Sequence, residues 1–152
     1  MAMRRVEASV VINRPLEEVF AFVRNPVDHP QWETAQFDVE QTSEGPMGVG
    51  TTFRGGIRLL GLPIGWTAEC TGYDPTRQLE FRVNAAPLQL QEILTLEPIE
   101  AGTSFTIVYK GDLRGLFRLA GPIVVRVFQR QVESDLANLR HFLEAPAIQL
   151  ER

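Results

Sequence analysis

The feature that most constrains the fold of this chain is a long amphipathic stripe near its C-terminal end. Apolar side chains recur there at three- and four-residue steps, at Ile123, Val124, Val127, Phe128, Val132, Leu136, Leu139 and Leu143. This spacing places them on one side of an α-helix, and that side must be buried against another element. Gly121 and Pro122 are expected to start or kink the helix, after a looser helical turn from Leu116 to Ala120.

The middle of the chain supplies strands for this helix to cover. Apolar and polar residues alternate in segments separated by Gly- and Pro-rich turns, at 36–42, 50–59, 63–73, 78–85, 88–97 and 103–111. The connections are too short for crossover helices, so the strands should pair as antiparallel hairpins. Residues 5–12 alternate in the same way and predict a first strand.

Two short helices are predicted between the first two strands. Asn13 and Pro15 suit a helix start, and acidic residues follow in the first turn. Val27 to Trp32 predicts a second short piece, broken by Pro30. The expected class is therefore α+β, with a six- or seven-stranded antiparallel sheet that curls around the C-terminal helix and leaves a space between them. The length of 152 residues predicts one domain, 1–152.

Composition excludes several classes of protein. With 44% hydrophobic and 22% charged residues, the chain is not of the disordered type. A net charge of −4 argues against a nucleic-acid partner. Cys70 is the single cysteine, and His29 and His141 lie far apart, so no metal site and no cofactor are predicted. No 18-residue apolar run or signal-peptide pattern is visible, and we expect a cytoplasmic protein.

Strand parity predicts which side chains face the space between sheet and helix. On the strands the expected cavity residues are Phe53, Ile57, Trp66, Ala68, Phe81, Leu90, Glu92, Phe105 and Tyr109. Trp32 of the second short helix and Val124 and Phe128 of the C-terminal stripe complete the expected cavity. Glu92 and Tyr109 interrupt this apolar face and are the candidate catalytic pair. A carboxylate among leucines should have a raised pKa, which suits proton transfer or ligand orientation. Alternatively, Glu92 lies at a solvated mouth and Tyr109 is a core tyrosine whose hydroxyl has a partner.

Four arginines in the C-terminal region form a second feature with alternative interpretations. Arg114, Arg118, Arg126 and Arg130 follow a four-residue spacing, interrupted by Pro122. They predict either a basic stripe for an anionic lipid surface or phosphate-bearing ligand, or an ordinary solvated helix face.

The whole pattern resembles the START-like, helix-grip superfamily, specifically its polyketide cyclase/dehydrase and lipid-transport branch. Residues 10–20 (VVINRPLEEVF) look like the opening strand and helix of that family. Further similar segments are 30–32 (PQW), 48–51 (GVGT), 73–79 (YDPTRQL), 96–98 (LEP), 102–103 (GT) and 136–140 (LANLR). The resemblance covers about residues 5–144 and implies a seven-stranded sheet that encloses a hydrophobic tunnel with the last helix. It implies no universal catalytic residues.

Three functions follow from these expectations. The first is binding of a small hydrophobic ligand, such as a lipid, a quinone, a polyketide or a similar aromatic, in the cavity. The second is a polyketide cyclase or dehydratase that uses Glu92 and Tyr109 as acid and base. The third is a module that contacts a protein or a membrane through the arginine stripe. The oligomeric state and the identity of the ligand stay open.

Overall fold

The computed structural model describes residues 3–85, 88–112 and 117–145, and side chains over 5–85, 88–111 and 122–145. Its strands are β1 Met3–Ile12, β2 Gln36–Gln41, β3 Thr52–Leu59, β4 Leu62–Asp74, β5 Gln78–Ala85, β6 Leu88–Ile99 and β7 Gly102–Asp112. Helix α1 spans Leu16–Val23, a 3₁₀ helix spans Pro26–Gln31, and helix α2 spans Phe117–Glu144.

The seven strands form one antiparallel sheet in the order β1-β7-β6-β5-β4-β3-β2. The prediction of seven strands in an α+β helix-grip is confirmed. From β2 to β7 each strand pairs with the next, as short connections require. The turn between β3 and β4 has two residues, Leu60 and Gly61, with φ of 53° and 79°. Two successive positive φ values are typical of the type I′ turn of tight hairpins.

The segment between β1 and β2 determines what covers the inner face. These two strands lie at opposite edges of the sheet, so α1 and the 3₁₀ helix carry the chain from one edge to the other. Val19, Val23 and Trp32 on this segment join one buried cluster with inward residues of the sheet, including Phe105. The crossing therefore brings the 3₁₀ helix against the inner face.

The starts of the helices differ in part from the expectation. Asn13 does not cap α1, because the N-cap is Pro15, without a side-chain hydrogen bond. The backbone N–H of Asn13 instead donates to Glu144 Oε2 at 2.7 Å, which ties the end of α2 to the end of β1. The second short piece is a 3₁₀ helix, capped by Asn25 Oδ1 and containing Pro30.

Helix α2 packs along the sheet through the predicted stripe. Val132, Leu136 and Leu139 are buried in the main core. Pro122 lies inside the helix, and the described chain is helical from Phe117 on, so Pro122 does not start it. Leu116, at the start of the expected looser turn, lies outside the described residues. In the described part of the chain no helix is long and apolar enough to cross a membrane.

Candidate functional site

A cavity lies between the inner face of the sheet and the N-terminal half of α2. The cavity has a volume of about 100 Å³. A single water molecule needs roughly 10–15 Å³, so the space is larger than a packing defect. Its wall is formed by Pro26, His29, Glu33, Gln36, Val39, Ile57, Leu59, Ile64, Trp66, Ala68, Phe81, Val83, Ala85, Leu88, Leu90, Glu92, Tyr109, Val124 and Phe128.

A second, apolar space of about 60 Å³ adjoins the first. It shares several wall residues with the cavity, and its other lining residues are Val6, Gly111 and Val125. The shared residues lie on β3, β6, β7 and α2. The two spaces therefore form one apolar region between sheet and helix, with room to extend beneath β1.

The predicted cavity residues divide into two groups. On the cavity wall the structure places Ile57, Trp66, Ala68, Phe81, Leu90, Glu92, Tyr109, Val124 and Phe128. Trp32, Phe53 and Phe105 lie instead in the closed core. Trp32 and Phe105 contact each other edge to face at 6.1 Å between centroids, and Phe53 contacts Phe81 in the same way at 6.2 Å. Mutual aromatic packing closes the space around these three rings.

Glu92 and Tyr109 meet because their strands pair in register. Glu92 of β6 is directly opposite Tyr109 of β7, and both side chains face the cavity. The Tyr109 hydroxyl donates to Glu92 Oε2 at 3.0 Å. Tyr109 is buried, with 7% exposure, and its hydroxyl has hydrogen-bond partners, as the alternative of a core tyrosine expects. Those partners are carboxylates of the cavity wall, so Tyr109 also belongs to the cavity.

His29 and Glu33 complete a polar cluster at this end of the cavity. His29 is 5% exposed, and its Nδ1 lies 3.1 Å from Glu33 Oε1. Glu33 Oε2 lies 3.3 Å from the Tyr109 hydroxyl. Sequence reasoning missed Glu33. The signal available was the four-residue step from His29 to Glu33, which places two ionisable groups on one side of a helical turn.

The proton positions in this cluster follow from its acceptors. His29 Nε2 lies 2.7 Å from the carbonyl oxygen of Val23, which can only accept, so Nε2 carries a hydrogen. Burial lowers the pKa of His29, but the charge of Glu33 and its hydrogen bond outweigh this, so the pKa is raised. The raised pKa favours the imidazolium form of His29, which donates from Nδ1 to Glu33 in a buried ion pair.

Burial has the opposite effect on the carboxyl group of Glu92. Loss of solvation, reinforced by the negative charge of Glu33, raises the pKa of Glu92 to about 7, against opposing effects of His29 and Tyr109. Burial and the two glutamates also raise the pKa of the Tyr109 hydroxyl. Glu92 therefore exchanges its proton near neutral pH while Tyr109 stays protonated.

Asp135 of α2 is a further buried carboxyl group, on which the charge of Glu33 acts. It is 5% exposed and accepts a hydrogen bond of 2.9 Å from Gln131. Burial raises its pKa to about 7, and the charge of Glu33 acts in the same direction. Because Asp135 is absent from the cavity wall, we treat it as a neighbour of the cluster.

The cluster has the donor types of a metal site, but its atoms already have protein partners. One ligand atom each from His29, Glu33 and Glu92 lie within 4.8 Å of one another. Each of these side chains is engaged in the ion pair or in the hydrogen bonds of Tyr109. In this structure the cluster is therefore a network of one ion pair and the hydrogen bonds of Tyr109.

The arginine stripe is only partly described. Arg126 and Arg130 are exposed on α2. Arg114 and the side chain of Arg118 lie outside the described residues. The interpretation of this stripe as a contact surface stays a prediction.

Comparison with known proteins identifies the family. The family model described as "Polyketide cyclase / dehydrase and lipid transport" matches residues 3–144. The chain belongs to this family. The resemblance drawn from the sequence motifs is confirmed, and it covers the same part of the chain. A search of the curated proteins found none that matches this chain.

Solved structures similar to this member of the polyketide cyclase/dehydrase and lipid-transport family share its fold. The protein TTHA0849 from Thermus thermophilus has a TM-score of 0.80 and 20% identity over 93% of this chain and 98% of its own. The Zhui aromatase/cyclase from Streptomyces sp. R1128 has a TM-score of 0.77 and 21% identity over 93% of this chain and 94% of its own. DynU16, a protein in the dynemicin biosynthetic locus, has a TM-score of 0.69 and 22% identity over 93% of this chain and 47% of its own.

Proposed function

We propose that this protein binds a small hydrophobic molecule in the cavity between the sheet and α2. The observation that carries the proposal is the composition of the wall, which is apolar except for Gln36 and the polar cluster of His29, Glu33, Glu92 and Tyr109. Burial of an apolar ligand body is favourable by roughly 25 cal/mol per Å². Convergent polar groups at one end would orient the ligand. Membership of a cyclase and lipid-transport family supports a ligand of this type.

Filling the cavity tests the proposal. Ala68 of β4 is on the wall, and its neighbour Thr67 is exposed on the other face of the sheet. We expect Ala68→Trp to abolish binding of 2-naphthylmethanol in calorimetric titrations, and Thr67→Trp to leave it unchanged. Val83→Phe, a smaller change on the same wall, is the second variant if Ala68→Trp does not fold. Unchanged affinity in a folded wall variant would contradict the proposal.

Native mass spectrometry of the purified full chain provides a direct companion measurement. A stoichiometric hydrophobic molecule, recovered by organic extraction, would name the ligand class. The same analysis of Ala68→Trp should find the mass of the polypeptide alone. Retention of the molecule by that variant would place it somewhere other than the cavity.

A second candidate function is acid–base catalysis of the cyclase or dehydratase type. The specific observation is that Glu92 has a pKa of about 7 and lies 3.0 Å from the Tyr109 hydroxyl in a largely apolar space. A group that changes protonation near neutral pH suits proton transfer. With a poly-β-ketone substrate, Glu92→Gln should lower turnover by about 10² or more and leave binding largely intact. Glu97→Gln, exposed on the same strand, is the matched control. Full activity of Glu92→Gln would remove the proposed acid.

A further inference from the structure

The charged groups of the cavity are unevenly balanced. Among the described wall residues, the carboxyl and imidazole side chains are His29, Glu33 and Glu92, whose ligand atoms lie within 4.8 Å of one another. The imidazolium of His29 is already engaged by Glu33 at 3.1 Å. In the described part of the chain Glu92 shares the charge of His29 with Glu33, and this charge only partly offsets the effects that raise the pKa of Glu92. When Glu92 is ionised, this end of the cavity therefore carries one net negative charge.

The hydrogen-bond donors are also too few for the carboxylates. Tyr109 has one hydroxyl proton but lies 3.0 Å from Glu92 Oε2 and 3.3 Å from Glu33 Oε2. It can satisfy only one of these oxygens fully at a time. No other described side chain donates to Glu92, and its carboxyl group reaches the cavity. A ligand group placed here is expected to donate hydrogen bonds rather than accept them.

The walls next to the carboxylates suit a cation as well. Trp66, Phe81, Tyr109 and Phe128 contribute aromatic rings to the cavity. Tyr109 and Phe128 lie 4.8 Å apart between centroids in an edge-to-face arrangement. Aromatic faces attract cations through the quadrupole of the ring, most strongly where water is excluded. The aromatic rings of the wall therefore favour a positively charged ligand group, as the carboxylates do.

We propose that the ligand of this cavity is a hydrophobic amine, whose protonated nitrogen binds at Glu92 and Glu33 while its apolar body fills the space toward α2. This inference rests on the proposed ligand-binding function and adds the chemical class of the ligand. The ammonium supplies the hydrogen-bond donors and the positive charge that the cluster lacks, and charge-assisted hydrogen bonds are roughly twice as strong as neutral ones. A carboxylate-ended ligand would place like charges together and should bind more weakly.

The groups that face Glu92 give the proposal a pH dependence. They are Tyr109 of β7 directly opposite, His29 and Glu33 at the 3₁₀ helix, and Asp135 of α2, whose charge acts on Tyr109. With a pKa of about 7, Glu92 is about one-tenth ionised at pH 6 and about nine-tenths ionised at pH 8. A primary alkylamine keeps its proton at both values, so its affinity should rise about tenfold over this range.

Three probes with the same ring system separate the possible ligand chemistries. The full chain is titrated by calorimetry with 2-naphthylmethylamine, 2-naphthylmethanol and 2-naphthoate, at pH 6 and pH 8, with EDTA present. At pH 8 we expect the amine to bind at least about tenfold more tightly than the alcohol and the naphthoate most weakly. The preference for the amine should fall about tenfold at pH 6. Glu92→Gln should remove most of this preference at pH 8, and Glu97→Gln should retain it.

The outcomes distinguish the two proposals. If the alcohol binds and the amine binds no better at pH 8, the amine assignment is wrong and the hydrophobic cavity function stands. The same holds if the naphthoate binds most tightly, or if Glu92→Gln keeps the full preference. If none of the three probes binds, or if they bind Ala68→Trp as tightly as wild type, both proposals fail.

Discussion

Glu92 makes the stability of this protein depend on pH in an unusual direction. In the unfolded chain the pKa of a glutamate is 4.5, and in the folded protein burial raises that of Glu92 to about 7. Between these values the folded state holds a proton that the unfolded chain has released. The free energy of unfolding therefore decreases as pH rises through this window, and the loss is complete above about pH 7.

The size of the effect follows from the difference between the two pKa values. Each pKa unit corresponds to about 1.4 kcal/mol, so ionised Glu92 costs on the order of 3 kcal/mol at pH 8. Glutamine has the same shape and keeps an oxygen that accepts from Tyr109, but it cannot ionise. We therefore expect Glu92→Gln to match wild type at pH 4.5 and to be more stable by roughly 3 kcal/mol at pH 8. For a chain of this length that is a rise in Tm of roughly 6–12 °C.

Thermal and urea unfolding of wild type and Glu92→Gln at pH 4.5, 6 and 8 measure this difference. Glu97→Gln, exposed on the same strand, controls for the loss of any one negative charge. The raised pKa values of His29 and Asp135 act on wild type with the same sign. Because the charge of Glu92 is one cause of the raised pKa of His29, the comparison with Glu92→Gln measures Glu92 together with its coupling to His29. A gap between Glu92→Gln and wild type that is the same at all three pH values would refute the reasoning.

Two further predictions concern single positions. Tyr109→Phe removes the donor shared by the cavity carboxylates and should destabilise the protein by about 1–3 kcal/mol at pH 8, measured by urea unfolding; an unaffected midpoint would mean that water replaces the hydroxyl without loss. Gly102, at the turn into β7, has φ +136°, and an added Cβ would collide with the carbonyl oxygen of Ile12. Gly102→Ala should therefore lower the free energy of unfolding by at least about 2 kcal/mol. Gly48→Ala should have little effect, because a Cβ added at Gly48 would have no atom within 4 Å. Equal urea-unfolding midpoints for the two variants would contradict this prediction.

The fold could be predicted because its signals are local. Alternation along a strand, the short turns and the spacing of Val132, Leu136 and Leu139 each depend on neighbouring residues only. A sheet with one apolar face and a helix with one apolar side have few ways to bury both. The position of Glu92 on the inner face and its meeting with Tyr109 follow from the same alternation, together with the short connection between β6 and β7.

The rest of the site depended on long-range packing. Glu33 meets Glu92 only because the segment after α1 crosses the inner face between opposite edges of the sheet, and no local pattern encodes that path. The expected cavity residues Trp32, Phe53 and Phe105 face inward as predicted, but parity does not specify which inward rings pack against each other and which leave space. The sequence by itself determined the order, pairing and inward faces of the elements, because these rest on periodicity. Only the tertiary structure decided where the space lies and which charges meet in it, because both result from how distant elements pack together.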